Sequence, residues 1–140
     1  MDLDRLDDAS REQVRPLLDE MAASRALLET APEPWLRWWR TSGEAELRCI
    51  LMTGWDPVGA IDACWDEYDD YLEGIVNRVR SPADHEHIAP GLADHLDHLI
   101  RDYMGTLTDR QRHTNRWIAE VIVTWHRWTQ DRGRIGGSSA

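Results

Sequence analysis

Between Trp117 and Trp128 the apolar residues Trp117, Ile118, Val121, Ile122, Trp125 and Trp128 recur every three or four positions. That spacing lines one face of an α-helix. The same period returns in Val14, Leu17, Leu18, Met21 and Leu28, and again in Ile88, Leu92, Leu96, Leu99 and Tyr103. It is longest in Ile61, Cys64, Trp65, Tyr68, Leu72, Ile75, Val76 and Val79. Only residues 44–53 are also compatible with a buried strand, and there Glu44, Leu47, Ile50 and Leu51 fit a helix better. Helices that each carry an apolar stripe bury it against one another. The expected fold is therefore all-α: a single-domain bundle of four to six helices.

Eight Trp and no Phe mean that a few very large side chains fill its core. Trp65, Tyr68, Leu72, Leu96, Leu99, Trp117, Val121 and Trp125 are predicted to be largely buried. In Trp35-Leu36-Arg37-Trp38-Trp39-Arg40, aromatics beside arginines resemble a surface for stacking bases. In an acidic region, core packing with snorkelling arginines is the better reading.

Helix boundaries follow from local chemistry. Ser10 with Gln13, and Thr108 with Gln111, have the spacing of capping boxes. Pro16 kinks or restarts the first helix, because it removes a backbone donor. Ala31-Pro32-Glu33-Pro34 is a break, with Pro34 suited to the first position of a short helix. Ser42-Gly43 separates that helix from the next, and Gly54 is placed to cap the latter's C-terminus. Ser81-Pro82 ends the central helix, Pro90-Gly91 disturbs the first turn of its successor, and Gly133 ends the last one. This gives a flexible N-terminus over 1–9, one helical domain over 10–133 and a flexible tail over 134–140.

At the centre stands Trp55-Asp56-Pro57-Val58-Gly59. Pro57 crowds Asp56 out of the α region, and Gly59 is free to turn left-handed. Trp55 is placed to fold back as an anchor. Downstream, Asp62, Asp66, Asp69, Asp70 and Glu73 fall on the flank of the predicted central helix, beside its apolar stripe. Like charges at i,i+4 oppose helix formation by a few tenths of a kcal/mol per pair, and that helix face carries no arginine to offset them. Such a flank is either solvated surface or a binding surface.

Trp55-Asp56-Pro57-Val58-Gly59, then Asp66-Glu67-Tyr68-Asp69-Asp70-Tyr71, then Met104-Gly105 resemble a family of short bacterial proteins of unknown function. Its pattern is Trp-Asp-Pro-(Ile or Val)-Gly followed by Asp-Glu-Tyr-Asp-x-Tyr, and some members look like immunity proteins encoded beside toxins. The resemblance covers about residues 49 to 105. It implies a structural role for Trp55, Asp56, Pro57, Gly59, Tyr68 and Tyr71. The tryptophan-rich segments on either side have no counterpart in it.

Charge narrows the partners. All sixteen basic residues are arginine, which excludes Schiff-base lysine chemistry and a P-loop lysine. The net charge of -10 is uneven: residues 55–105 carry 12 acids and 3 Arg, whereas residues 106–140 carry 3 acids and 6 Arg. An acidic centre repels nucleic acid and favours a basic protein partner. No membrane partner is expected, since the opening is not that of a signal peptide and no apolar run approaches spanning length. Cys49 and Cys64 are unclustered, which fits free thiols and the cytoplasm.

Two enzymatic or metal-binding constellations stand against this. His95 and His98, three apart, with Asp94, have the spacing of a zinc or nickel site. Glu67-x-x-Asp70 and Asp94-x-x-Asp97 are spaced like the acidic pairs of all-α, Mg²⁺-dependent nucleoside-triphosphate pyrophosphohydrolases. The helical angles, however, turn Asp70 and Asp97 away from their stripes. His113 and His126 read as polar-face residues of the last helix. The preferred expectation is a non-enzymatic cytoplasmic binding protein of the immunity type, without cofactor or metal. It would set its acidic flank (Asp62, Asp66, Asp69, Asp70, Glu73) on a basic toxin domain. A self-associating helical module is the remaining alternative.

Overall fold

The computed structural model describes residues 8–57, 59 and 67–138. Among these there are six α-helices and no strand: α1 (Asp8–Leu28), α2 (Glu33–Trp38), α3 (Glu44–Ile50), α4 (Leu72–Val79), α5 (His85–Leu99) and α6 (Asp109–Ser138). α6 lies along α5, and α1 lies along α4. Short as it is, α4 touches α1, α3, α5 and α6. Leu72, Gly74, Ile75, Val76 and Val79 are accordingly all buried.

Ser42-Gly43 is not a break. α2 and α3 run into each other through a π-turn (Trp39–Gly43), and a second π-turn (Leu51–Trp55) continues α3. In each the closing N–H reaches back five residues, Glu44 to the Trp39 carbonyl and Asp56 to that of Leu51. Gly43 keeps a right-handed helical backbone, so its lack of a side chain serves packing: a Cβ there would lie 2.8 Å from the Trp38 ring. Gly54 is likewise no C-cap. The left-handed residue that stops the helix is Asp56, at φ 31°. A Cβ on Gly54 would meet the Ile118 methyl at 2.7 Å, so this glycine lets α6 approach closely.

Other boundaries agree with the chain's local chemistry. Pro34 sits in the first turn of α2, and α4 ends just before Ser81-Pro82. Thr108 and Gln111 exchange both bonds of a capping box, at 2.8 and 3.1 Å. Three boundaries differ. The central helix does not carry its stripe through Tyr68: Tyr68 lies in a turn, Asp69–Tyr71 form a 3₁₀ turn, and the α-helix begins only at Leu72. α1 is already helical at Asp8, which puts Ser10 inside it, and α6 passes Gly133 to reach Ser138. A glycine inside a helix costs about 1 kcal/mol relative to alanine, which weakens a helix without stopping it.

The core is one cluster that includes Leu36, Trp39, Leu47, Trp55, Tyr68, Leu72, Leu96, Leu99, Ile118 and Ile122. Leu36 and Trp39 are buried and Arg37 and Arg40 exposed, as the packing reading of that segment requires. Trp65 lies outside the described residues. Trp117 is 60% exposed and Trp128 55%, and Val121 and Trp125 are only partly covered.

The buried face of α6 is instead Asn115, Ile118, Ala119, Ile122, Val123 and His126, roughly opposite Trp117 and Trp128 at about 100° per residue. The reason is steric. Ala89 and Ala93 of α5, Ala119 of α6 and Gly54 allow the backbones to approach where an indole would hold them apart. Ile122→Ala should therefore cost about 2–5 kcal/mol in urea denaturation, and Trp117→Ala no more than about 0.5 kcal/mol. Equal losses would return Trp117 to the core.

Candidate functional site

Trp55 and Asp56 form the corner from which the acidic segment departs. The buried Trp55 indole donates from Nε1 to Asn115 Oδ1 at 2.6 Å, and Asn115 Nδ2 donates to Asp97 Oδ1 at 2.7 Å. Asn115 is fully buried, and this chain ties the second π-turn to α6 and α5. Tyr68 returns to the same corner. Its ring meets that of Trp55 edge-on at 5.1 Å, and its hydroxyl donates to Asp56 Oδ1 at 2.7 Å. Gly59 takes the left-handed conformation expected of it, at φ 67°. Beside the corner lies an open cleft of about 290 Å³ lined by Asp56, Pro57, Ile100, Arg110, Gln111 and Thr114, among others.

Asp62 and Asp66, the upstream half of the acidic flank, lie outside the described residues. Asp69 and Asp70 belong to a 3₁₀ turn (Asp69–Tyr71) that leads into α4, and Glu73 lies in its first helical turn. The carboxylates are not an unopposed row, because arginines reach them from other helices. Arg48 of α3 grips Asp69 with two nitrogens, at 2.7 and 3.0 Å, and also bonds Glu44 at 3.1 Å. The bond to Asp69 lifts the Arg48 guanidinium above its ordinary range against the opposing effect of burial. Arg25 of α1 lies 3.4 Å from Glu73. Asp70 and Glu67 remain on the surface. Half-burial raises the phenol of Tyr71 above its ordinary range, and the charges of Asp70 and Glu67 add to the effect.

The histidines divide by environment. His85 bonds Glu120 at 2.5 Å, and His98 bonds Asp102 at 2.6 Å. His95 is buried, and burial, with Arg78 and His98 nearby, lowers it to about 3. His126 is not a polar-face residue. It is buried among Trp35, Trp38 and Trp125, and its Nε2 accepts from Trp35 Nε1 at 3.1 Å. Burial, with Arg80 nearby, lowers it to about 4.

Asp94, His95 and His98 do not converge. Asp94 is exposed beside Arg116 and Glu120, His95 faces Gly74, and His98 is held by Asp102. Among the described residues no three His, Cys, Asp or Glu side chains gather as metal ligands do. The two carboxylate pairs do not face each other either. Asp70 lines a cleft with α1, Asp94 one with α6, and Asp97 accepts from Asn115 rather than facing open solvent.

Sequence reasoning missed Asn115 and Arg48. Asn115 was detectable as a polar residue three positions before Ile118 on an apolar stripe; Arg48 showed only its i,i+4 pairing with Glu44, and nothing local pointed to Asp69. Compared with known protein families, curated proteins and solved structures, the chain finds no match in any of the three.

Two consequences are measurable. Asp69→Asn should lower stability by about 1 kcal/mol, discounted for partial exposure, whereas Asp70→Asn should stay within about 0.5 kcal/mol; equal melting temperatures would remove the Arg48 clamp from the argument. Acid should also loosen the fold through His95 and His126. Both are held below their unfolded values, so the unfolded chain binds more protons as pH falls below about 6.5. Their contribution is intact above that pH. It is lost toward about 4 for His126 and about 3 for His95, at up to about 1.4 kcal/mol per pH unit for each. His126→Gln, which keeps an acceptor for Trp35, should flatten the melting profile between neutral pH and that range, and an unchanged slope would rule His126 out.

Proposed function

We propose that this protein is a non-enzymatic binding protein of the immunity type, which sets the acidic segment around Glu67–Glu73 on a basic protein domain. The observation that carries this reading is the exposure of Glu67 and Asp70 beside the fixed carboxylates of Asp69 and Glu73. They stand on a short turn held from below by the Tyr68–Asp56 bond and from the side by Arg48. A charged surface on a rigid base loses little conformational entropy on docking. Its sign also accelerates encounter with a cationic partner. The acidic middle of the sequence supplies the longer-range field. Among the described residues no helix is long and apolar enough to cross a membrane. The resemblance of the Trp55–Gly59 and Asp66–Tyr71 motifs to immunity-like proteins points to a toxin as the partner, with occlusion of its active surface as the mechanism.

The test is co-expression with the product of the neighbouring gene. The wild-type chain should rescue growth. Glu67→Gln/Asp70→Asn should protect poorly and associate at least about tenfold more slowly, with a gap that narrows as salt rises. Its melting temperature should be unchanged. Full protection by this folded variant would sink the proposal.

A further inference from the structure

The outer face of α6 has the pattern of a helix-pairing seam. Trp117, Val121, Thr124 and Trp128 are spaced 4, 3 and 4 residues apart, the alternation of a and d positions in a coiled coil. Trp117, Thr124 and Trp128 are exposed and Val121 partly so. This stripe is distinct from the core-facing stripe of the same helix, which is already covered by α5. Exposed apolar area in one line marks an interaction surface more often than scattered residues do.

The charges beside the seam point to its occupant. Turn a second copy of α6 antiparallel about a point between Ile122 and Val123. Trp117 then falls opposite Trp128 of the second copy, and Val121 opposite its Thr124. The two-fold axis repeats each pairing, so both tryptophans of each copy are covered by the other.

The flank agrees. In an antiparallel pair the residues just before each a position meet across the seam, and here they are Glu120 and Arg127. Both are exposed, and the two-fold axis sets Glu120 of each copy against Arg127 of the other. Arg132 covers one face of Trp128, with its guanidinium 4.5 Å from the ring centroid, and Trp128 is still 55% exposed. We infer that a second copy of this chain docks here, through an antiparallel α6–α6 contact centred between Ile122 and Val123. This surface is separate from the acidic segment of the proposed function and does not rest on that reading.

Sedimentation equilibrium of the full chain should show a monomer–dimer equilibrium. Trp128→Ser should raise the dissociation constant at least about tenfold, one step of 1.4 kcal/mol. Glu120→Arg and Arg127→Glu should each weaken self-association, because each sets like charges together twice. Mixing these two variants in equal amounts should restore wild-type affinity as a heterodimer, since both charge pairs then become opposite. Glu120→Arg also removes the contact to His85, so circular dichroism of each variant accompanies the measurement. Arg127→Glu leaves that contact untouched. A wild-type chain that stays monomeric would overturn the inference, as would a dimer indifferent to Trp128→Ser or a mixture no tighter than its components.

Discussion

A tryptophan indole has one N–H and no acceptor, and at Trp55 that donor is buried. Its bond to Asn115 is the constraint on which the rest of the arrangement depends. An unmade bond of this kind costs about 1–3 kcal/mol, so the second π-turn can approach α6 only where Asn115 presents its carbonyl. The Asn115 amide then has to meet Asp97, and α5 is drawn into the same register. Gly54, one residue before the indole, removes the Cβ that would otherwise collide with Ile118. Three segments far apart in sequence are thus aligned by one donor, one carboxamide and one missing side chain.

A second polar anchor works at the far end of the bundle. The Trp35 indole donates to His126, and the rings of Trp38 and Trp125 close around the imidazole. Here the acceptor is itself titratable, and it accepts only while neutral. Burial keeps it neutral, and Arg80 nearby works in the same direction. Arg80 also lies over the Trp35 ring, 5.5 Å from its centroid, so one guanidinium covers the indole and disfavours protonation of its partner. The three tryptophans Trp35, Trp38 and Trp39 beside arginines look, in sequence, like a platform for nucleic acid. In the fold Trp39 is buried in the core, Trp35 and Trp38 pack against it, and the Trp35 N–H is bonded to His126.

The helical class and most boundaries were legible because they rest on local signals: period, proline, and the reciprocal bonds of Thr108 and Gln111. What sequence could not decide was which of two apolar faces α6 turns inward. Hydrophobicity favours the face with three tryptophans, but packing distance favours the one with Ala119 and Val123, and distance wins because α5 and Gly54 are also small at the contact. The acidic flank was read as unopposed by arginine for a related reason. The repulsion between Asp69 and its neighbours follows from placing them on one helix, but Asp69 lies in a 3₁₀ turn ahead of it, and Arg48, 21 residues away, meets Asp69 only after folding. The left-handed residue is Asp56 rather than Gly54: the proline that follows disfavours a right-handed helical backbone at Asp56, and Asp is one of the few non-glycine residues that visit the left-handed region. Tyr68 adds a bond to the Asp56 side chain in that position.

The two surfaces proposed for this chain obey different physics, so they need not compete. Docking through Glu67 and Asp70 is governed by charge of one sign, acts over the Debye length of about 8 Å at physiological ionic strength and weakens with salt. The α6 seam is governed by indole burial, which salt leaves intact. Two chains of net charge -10 repel one another at long range, and only the local Glu120–Arg127 pairs oppose that repulsion. Salt therefore screens a net repulsion at the seam and a net attraction at the flank. The surplus of arginine on α6 adds like-charge repulsion where two copies of that helix face each other, so the contact has to rest on indole burial and on the two Glu120–Arg127 pairs.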